Sequence, residues 1–447
     1  MFSLWIAIAS SEAIGLQLVS EASIEQERRL TKTSHLSNGI PVVMREIPGS
    51  DITHITISFS WGRKDWPKGH QILERWMWST MPLGAKGYPK EKVFELTEKY
   101  GISLSCAGGI EVSWCSIEVV NDYWKTAMPL FSAIVNSPNF EKKEIDLQKA
   151  RIQADLKSVF ADPDKYSNDV INRIFYDEKH PYRLNHDEAL KELEQLSGGE
   201  LKEYHKKIVS SDRMTITLVS GLPREQILGA METNFGRIKR TGAVEKKVTE
   251  PEFSRDKSFV FEHRPIPTAY IKIKFNAPSI KDPNYITSLL LFEILSEMLD
   301  EEIRTKRSLS YAVQAQTLQY SVGLGIISVS TSKPNETFDA IKEVIKKLRT
   351  TLLTGEDLEE YKRVFATGYY VGQETHSALA NGISGYLRYF GSVEPLYEFP
   401  KRLEAVEPEN VKQLAGEILK RFRIGVLFDR EKFQEAWATS FIEETLQ

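Results

Sequence analysis

The chain has 447 residues, and at roughly 100–200 residues per domain this length predicts two to four domains. Hydrophobic residues make up 41% and charged residues 27% of the sequence, which excludes a disordered, collagen-like or low-complexity chain. The formal net charge of −4 gives no electrostatic case for nucleic-acid binding. No run of apolar residues is long enough to predict a conventional transmembrane helix.

The first half of the sequence alternates between strand and helix patterns. Apolar residues alternate with Thr and Ser over residues 55–61, which predicts a half-buried strand. Gly101 is a good C-cap for a helix that precedes it. The further predicted elements are helices over 71–81 and 90–100, two strands around Gly108-Gly109, helices over 122–135 and 142–160, a break at 162–164, a helix over 199–208 and a strand over 214–221.

The second half repeats this order. Residues 270–275 alternate like residues 55–61, and both halves end in a helix followed by a strand, over 201–221 and 411–429. Residues 338–352 carry a helical apolar stripe. The remaining predicted elements are a helix over 288–300, a strand over 323–331 and a helix over 358–373.

This repetition predicts two homologous α+β domains, each a mostly antiparallel sheet covered by helices. We place the domains at residues 28–237 and 257–447, joined by a linker over 238–256 that lacks apolar periodicity. Residues 1–27 form an N-terminal arm or a signal segment, since two apolar patches are present but a positive n-region and an unbroken h-region are not. The compartment is left open, and a periplasmic or exported location is favoured over a cytoplasmic one.

The two cysteines, Cys106 and Cys115, flank the Gly108-Gly109 pair. If this pair forms a two-residue turn, Cys106 lies opposite Glu111 and the two sulfur atoms are too far apart to bond. We therefore expect two free, half-buried thiols.

Several local segments, in this order and at this spacing, resemble signatures of the inverzincin metallopeptidases, the family of pitrilysin, insulin-degrading enzyme and mitochondrial processing peptidase. The resemblance covers most of the chain, from about Leu30 to Glu431, and implies that the two domains form half of a clam-shell peptidase chamber. The segments are Leu36-Ser37-Asn38-Gly39-Ile40-Pro41-Val42, Asn136-Ser137-Pro138-Asn139-Phe140, His180-Pro181-Tyr182 and residues 304–313.

In that family an H-x-x-E-H helix supplies two zinc ligands and a general base, and a later helix supplies a third, carboxylate ligand. The corresponding helix here reads Gln71-Ile72-Leu73-Glu74-Arg75, so both histidine positions are lost and only the Glu position, Glu74, is kept. The third ligand position falls near Asp155. A slip of one residue would make His70 a ligand, but Arg75 would still replace its partner.

An arginine at this place opposes Zn²⁺ and suits an ion pair with Glu74 or Asp155. None of the eight histidines are three, four or five residues apart, so neither orientation of the zinc motif exists in the sequence. We therefore predict that this chain binds no metal, and the family resemblance implies that zinc belongs to a partner subunit. Trp61, Trp66, Trp76 and Trp78 cluster near the helix, and core packing is their default interpretation over a peptide groove.

Arg304 and Tyr311 are seven residues apart and match the Arg/Tyr pair by which the family's C-terminal domain holds the substrate backbone. A guanidinium offers a fork of donors to a peptide carbonyl, and a phenol adds one more. The alternative is that Arg304 is a solvated helix-end cation and Tyr311 a strand aromatic.

The resemblance implies a non-catalytic, substrate-binding subunit of a heterodimeric zinc metalloendopeptidase, whose partner is a homologous zinc-bearing subunit and whose ligand is a peptide. The alternative is a homodimeric scaffold or peptide-binding protein of the same fold with no peptidase role. A zinc-independent hydrolase has little support, because no Ser-His-Asp or Cys-His set stands out. Neither hypothesis involves nucleic acid or an integral membrane segment.

Overall fold

The structure is a computed structural model, and it describes residues 19–67, 69–242, 244–254, 257–434, 438 and 440–443. Two β-sheets lie within this described part, and helices cover both of them. The strands of the first sheet are β1 (Thr31–His35), β2 (Pro41–Glu46), β3 (Ile52–Phe59), β4 (Ser103–Ala107), β5 (Ser113–Val120) and β6 (Met214–Ser220). Those of the second are β7 (Phe259–His263), β8 (Ala269–Asn276), β9 (Ala312–Leu318), β10 (Leu324–Thr331) and β11 (Phe422–Phe428).

Helices precede, connect and follow these strands. In the first half they are α1 (Glu21–Leu30), α2 (Ile72–Thr80), α3 (Lys90–Tyr100), α4 (Trp124–Asn136), α5 (Lys142–Ala161), α6 (Pro163–Phe175), α7 (His186–Gln195), α8 (Gly198–Ile208) and α9 (Arg224–Phe235). In the second half they are α10 (Tyr285–Leu299), α11 (Pro334–Thr350), α12 (Gly355–Val371), α13 (His376–Phe390), α14 (Glu394–Glu404) and α15 (Pro408–Ile418).

The two sheets share one topology. The first has the strand order β1-β2-β6-β3-β5-β4 and the second has β7-β11-β8-β10-β9, so the second repeats the first without a counterpart of β1. In each sheet one pair is parallel, β2 with β6 and β7 with β11, and the other pairs are antiparallel. The predicted α+β fold of two homologous, mostly antiparallel sheets covered by helices is confirmed.

Each sheet has its own apolar core. Trp61, Trp66, Trp76 and Trp78 belong to the core of the first half, and each is less than 5% exposed. The second core is built around strands β8, β10 and β11 and helices α10, α11 and α15. Core packing is therefore the structural role of the four tryptophans.

Each half of the chain contributes one helix to the sheet of the other half. Helix α6 belongs to the first half by sequence but packs on β7, β8 and β11 of the second sheet. Helix α13 belongs to the second half and packs on β3 and β6 of the first. Gly425 on β11 makes the first contact possible, because a Cβ there would come within 2.9 Å of the Ile171 side chain on α6.

The break predicted at residues 162–164 is also the start of a helix. Asp162 ends α5 and caps α6, since its Oδ1 accepts hydrogen bonds from the backbone N–H groups of Asp164 at 3.1 Å and Lys165 at 3.2 Å. Pro163 follows as the first residue of α6, where a missing N–H costs nothing. The chain therefore turns at this point and crosses to the other sheet.

Glu111 joins the halves at their junction. It lies in the loop between β4 and β5, is 2% exposed, and accepts hydrogen bonds from the hydroxyl groups of Tyr182 and Ser321. The backbone N–H of Ser321 and the hydroxyl of Tyr389 also donate to it, at 3.0 and 2.8 Å. Ser321 lies between β9 and β10, and Tyr389 lies on α13, so one carboxylate binds both halves.

The expectation of two free thiols is wrong, because Cys106 and Cys115 form a disulfide. The connection between β4 and β5 spans residues 108–112 rather than two residues, and this length sets the register. Cys106 then lies directly opposite Cys115, with their Cα atoms 4.0 Å apart, instead of opposite Glu111. The error came from treating the Gly-Gly pair as the whole turn.

The predicted signal segment falls mostly on residues 1–18, which lie outside the described residues. The described chain starts just before α1, and the Ser20 side chain caps that helix by accepting the Ser23 N–H at 3.1 Å. Of the helices described, none is both long and apolar enough to cross a bilayer.

Candidate functional site

Helix α2 carries the residues that correspond to the family's zinc motif. Its buried face includes Ile72, Leu73, Trp76 and Met77, which hold the helix against the first core. The Glu192 carboxylate on α7 accepts the Ile72 N–H at 2.6 Å and so fixes the start of the helix. Burial raises the pKa of Glu192 to about 7.

Gln71 and Arg75, at the two lost histidine positions, make contacts that leave no metal-binding geometry. The Gln71 amide donates weakly to the Pro181 carbonyl at 3.4 Å. Arg75 Nη2 lies 2.5 Å from Asp155 Oδ2, so the ion pair expected from the sequence is present and Asp155 on α5 faces α2 as its register predicted. His70, the alternative ligand, lies 3.8 Å from a Glu200 oxygen.

Glu74 is the motif residue that the sequence keeps, and it is 2% exposed. Its oxygens accept hydrogen bonds from the indole N–H groups of Trp66 and Trp78 and from the Ser113 hydroxyl. Burial raises its pKa to about 7, although these hydrogen bonds favour the charged form. The backbone of Gly108 closes over the group, because a Cβ there would lie 2.9 Å from Glu74 Cγ.

A cavity of about 180 Å³ lies against Gln71, Glu74 and Arg75. These side chains do not fit a zinc ion: one is an amide, one is a cation held by Asp155, and the carboxylate is enclosed by hydrogen-bond donors. Within the part of the chain that the structure describes, no three His, Cys, Asp or Glu side chains are grouped so that they could hold a metal ion.

Arg304 lies in a π-helical turn, Asp300–Lys306, that extends α10. Turns of this kind are rare in proteins, and many of those that occur lie at functional sites. The Arg304 guanidinium lies 3.4 Å from Asp300 Oδ1, and its side chain is 54% exposed. This ion pair is therefore weak and open to solvent.

Tyr311 directly precedes β9, and the π-helical turn packs against that strand. Its exposed fraction is 92%, whereas large hydrophobic side chains on the described strands, such as Ile52 and Val120, are 38% and 41% exposed. The structure thus places Arg304 and Tyr311 at neighbouring elements, both accessible. Among the described residues no hydrogen bond or ring contact joins their two side chains.

Sequence reasoning missed the donors around Glu74 and the role of Glu111. Trp66 and Ser113 are 8 and 39 residues from Glu74 along the chain, so no local pattern links them. Glu111 is a lone carboxylate in a glycine-containing loop, and its partners lie 71, 210 and 278 residues away. The position of Glu111 in a loop between apolar strands was the one available signal.

A family model described as "Insulinase (Peptidase family M16)" matches residues 73–184, and one described as "Peptidase M16 inactive domain" matches residues 195–365. The two matches together cover more than half of the chain and include α2 from its second residue, α5, Arg304 and Tyr311. The chain belongs to the insulinase family of peptidases, M16.

Two curated relatives are similar to the chain at low identity. A probable mitochondrial-processing peptidase subunit beta of Schizosaccharomyces pombe is 20% identical over 409 residues, which cover 87% of this chain and 89% of that protein. Protease 3 of Escherichia coli is 20% identical over 284 residues, which cover 62% of this chain but only 29% of that protein.

Solved structures share the fold. A peptidase M16 inactive domain from Pseudomonas fluorescens has a TM-score of 0.81 at 18% identity, over 89% of this chain and 98% of that one. A protease from Helicobacter pylori has a TM-score of 0.76 at 14% identity, over 89% and 99% of the two chains. The periplasmic protease PqqL from Escherichia coli has a TM-score of 0.75 at 14% identity, and the match covers 95% of this chain and 49% of that one.

Proposed function

We propose that this chain is a non-catalytic, substrate-binding subunit of a heterodimeric zinc metalloendopeptidase. Arg304 and Tyr311 hold the backbone of the peptide, and a homologous partner subunit supplies the zinc and the base. The observation that carries the proposal is the Arg75–Asp155 ion pair, which takes the place of the metal ligands on α2 and α5. Membership of a peptidase family, and a relative named as a processing-peptidase subunit, support it further.

The solvent exposure of Arg304 and Tyr311 supports the proposal that this chain binds the substrate while its partner supplies the zinc. An exposed i,i+4 ion pair at 3.4 Å is worth little, so Arg304 can leave Asp300 for a peptide carbonyl at small cost. Tyr311 gains nothing from burial, and its hydroxyl can donate to the same backbone. Each charge-assisted contact to a substrate contributes about 1.5–3 kcal/mol, which is roughly tenfold to hundredfold in rate.

The test is reconstitution. The purified chain alone should carry no stoichiometric zinc and should not cleave a fluorogenic peptide, whereas a mixture with an M16 protein of the same organism that has an intact zinc motif should cleave it in a chelator-sensitive way. Chelator-sensitive cleavage by the pure chain would contradict the proposal. If the chain forms a stable dimer with itself and no zinc-bearing partner activates it, the homodimeric scaffold replaces the proposed function.

Arg304→Ala in the assembled complex should lower kcat/KM by about tenfold to hundredfold, and Tyr311→Phe should lower it less, since it removes a neutral hydrogen bond. Asp300→Ala is the matched control, because it removes the ion pair but keeps the guanidinium. Its complex should turn over as the wild type does. Assembly is checked by size-exclusion chromatography, and wild-type turnover by an assembled Arg304→Ala complex would show that Arg304 is only a solvated cation.

A further inference from the structure

A second cavity, of about 360 Å³, lies where the two halves of the chain meet. Arg63 and Tyr182 line it from the first half, Asn172 and Tyr176 from α6 and the residue that follows, and Lys274 and Tyr320 from the second half. Its volume is in the range of pockets that hold small ligands or parts of larger ones.

The cavity adjoins the degenerate site on α2. Both cavities are lined by Arg63, Ile110, Leu184 and His186. A chain segment held near Glu74 and Arg75 can therefore extend into the space beside Lys274 without leaving the surface of the molecule.

Lys274 is the unusual residue of this cavity. It is 5% exposed, and its Nζ donates to the Asn172 amide oxygen at 2.6 Å. The ammonium group also lies over the rings of Phe175 and Tyr176, at 5.4 and 5.2 Å from their centres. No carboxylate among the described residues forms an ion pair with it, and a buried cation without an anion is costly.

A second buried cation lies beside Lys274. Arg423 on β11 is directly opposite Lys274 in the sheet register and is 1% exposed. It donates to the Glu252 carbonyl, and its Nε and Nη1 atoms are buried without a hydrogen-bond partner in the described structure. Lys272, two residues earlier on β8, forms an ion pair with Asp164 at 2.7 Å. Burial and the charge of Lys272 lower the pKa of Lys274 to about 7.

The cavity wall carries three Lys and Arg side chains, Arg63, Lys165 and Lys274, and one carboxylate, Asp169. Asp169 is already paired with His186 Nδ1 at 2.5 Å, and Lys165 lies 3.3 Å from Asp162. Arg63 donates to the Tyr182 carbonyl at 3.0 Å, and its Nε is buried without a partner in the described structure. Arg63 and Lys274 are thus two basic groups on the cavity wall that form no direct ion pair with a described carboxylate, although Asp169 and Glu192 act on the charge of Arg63 from nearby.

We propose that this cavity binds a carboxylate of the peptide substrate, with Lys274 and Arg63 as its cationic partners. The inference rests on the proposed function, because peptides are the ligands expected at the adjoining site. The apolar wall residues Ile110, Val159, Leu184 and Leu318 suit the side chain next to that carboxylate. The carboxylate comes either from the C-terminus of the peptide or from an acidic side chain.

Binding is measured on the full chain alone, with no zinc-bearing partner, by fluorescence anisotropy. Three probes are compared: a fluorescein-labelled peptide of alanine and leucine with a free C-terminus, the same peptide with a C-terminal amide, and the amide with one alanine replaced by glutamate. We expect the free acid, the glutamate peptide or both to bind at least about tenfold more tightly than the plain amide. The pattern identifies the source of the carboxylate, and equal binding of all three probes, or none, overturns the proposal.

Lys274→Met should remove this preference and leave the affinity for the amide unchanged. Lys281→Met is the matched control, since it removes the same charge from an exposed position on the segment before α10. If Lys274→Met does not fold, Arg63→Gln must weaken the acid preference for the proposal to stand. An intact preference in a folded Lys274→Met protein contradicts it.

The binding experiment tests the carboxylate site, and the reconstitution tests the peptidase role, so a negative result in one does not decide the other. A carboxylate preference that persists when no partner activates the chain would refute only the peptidase role. Full turnover in a complex whose isolated subunit binds acid and amide equally would refute only the carboxylate site.

Discussion

Glu74 is surrounded by two indole N–H groups and one hydroxyl, with the backbone of Gly108 closing the space above it. A protonated carboxyl still accepts both indole N–H groups, and its own O–H can donate to the Ser113 oxygen in place of the hydrogen bond that Ser113 donates to the carboxylate. An amide nitrogen can only donate. Glu74 is therefore held inside the first half by hydrogen bonds that an amide cannot fully replace.

Glu74→Gln should lower the free energy of unfolding by about 1–3 kcal/mol, since either orientation of the amide sets its nitrogen against an indole N–H. Urea unfolding followed by fluorescence measures the change. Glu98→Gln, on the exposed face of α3, is the control and should stay within about half a kcal/mol of the wild type.

The free energy of unfolding should depend on pH differently in the wild type and in Glu74→Gln. Because the pKa of Glu74 is raised from 4.5 to about 7, the folded state binds more protons than the unfolded state between these values. The contribution of Glu74 to stability is therefore complete below pH 4.5 and is lost as the pH rises to about 7. The stability difference between wild type and Glu74→Gln should shrink over this window, and a constant difference would show that Glu74 does not titrate there.

At the scale of elements, the periodicity of the sequence predicted most helices and strands within a few residues. Helix α3 spans 90–100 as predicted, and its Gly101 cap has the expected left-handed conformation, with φ of 59°. The degenerate α2 and the facing position of Asp155 were also predictable, because i,i+4 spacing and helix register are local properties.

The exchange of α6 and α13 was not predictable from periodicity. An amphipathic pattern shows that a helix buries one face, but it does not say which of two similar sheets receives that face. The disulfide was not predictable for a related reason. The length of the loop over residues 108–112 decides which residues of β4 and β5 lie opposite each other, and periodicity does not give that length.

Gly425→Ala tests the packing of α6 on the second sheet. An added methyl group would lie 2.9–3.0 Å from Ile171, including its backbone, so α6 must shift outward. We expect a loss of about 1–3 kcal/mol in the free energy of unfolding. Gly416→Ala on α15 is the matched control, because nothing lies within 4 Å of its added methyl group and it should be neutral or stabilising. Equal stability of the two variants would contradict the close approach.

At the scale of the whole molecule, Glu111 binds residues from both halves at once. Although burial opposes the charge, the hydrogen bonds from Ser321, Tyr182 and Tyr389 hold the pKa of Glu111 below its ordinary value of 4.5. The folded state therefore keeps this carboxylate ionised, and its contribution to stability is present above pH 4.5 and is lost as the pH falls through the lowered pKa.

Glu111→Gln should cost about 1.5–3 kcal/mol at neutral pH, because it replaces charge-assisted hydrogen bonds and sets an amide donor against hydroxyl donors. Thermal unfolding at several pH values measures the loss, which should diminish toward acid pH. Glu194→Gln, exposed on α7, is the control. A Glu111→Gln protein as stable as the control variant at neutral pH would show that the junction does not depend on this charge.

The exchanged helices restrict how the chain can move. Hinge motion between the halves would have to strip α6 from the second sheet and α13 from the first, and so expose two apolar sheet faces to water. Such motion is therefore unfavourable, because the packing of α6 and α13 couples the two halves. In the proposed complex, a peptide would therefore enter between this chain and its partner, so the rate of substrate entry would be a property of the complex and not of the isolated subunit.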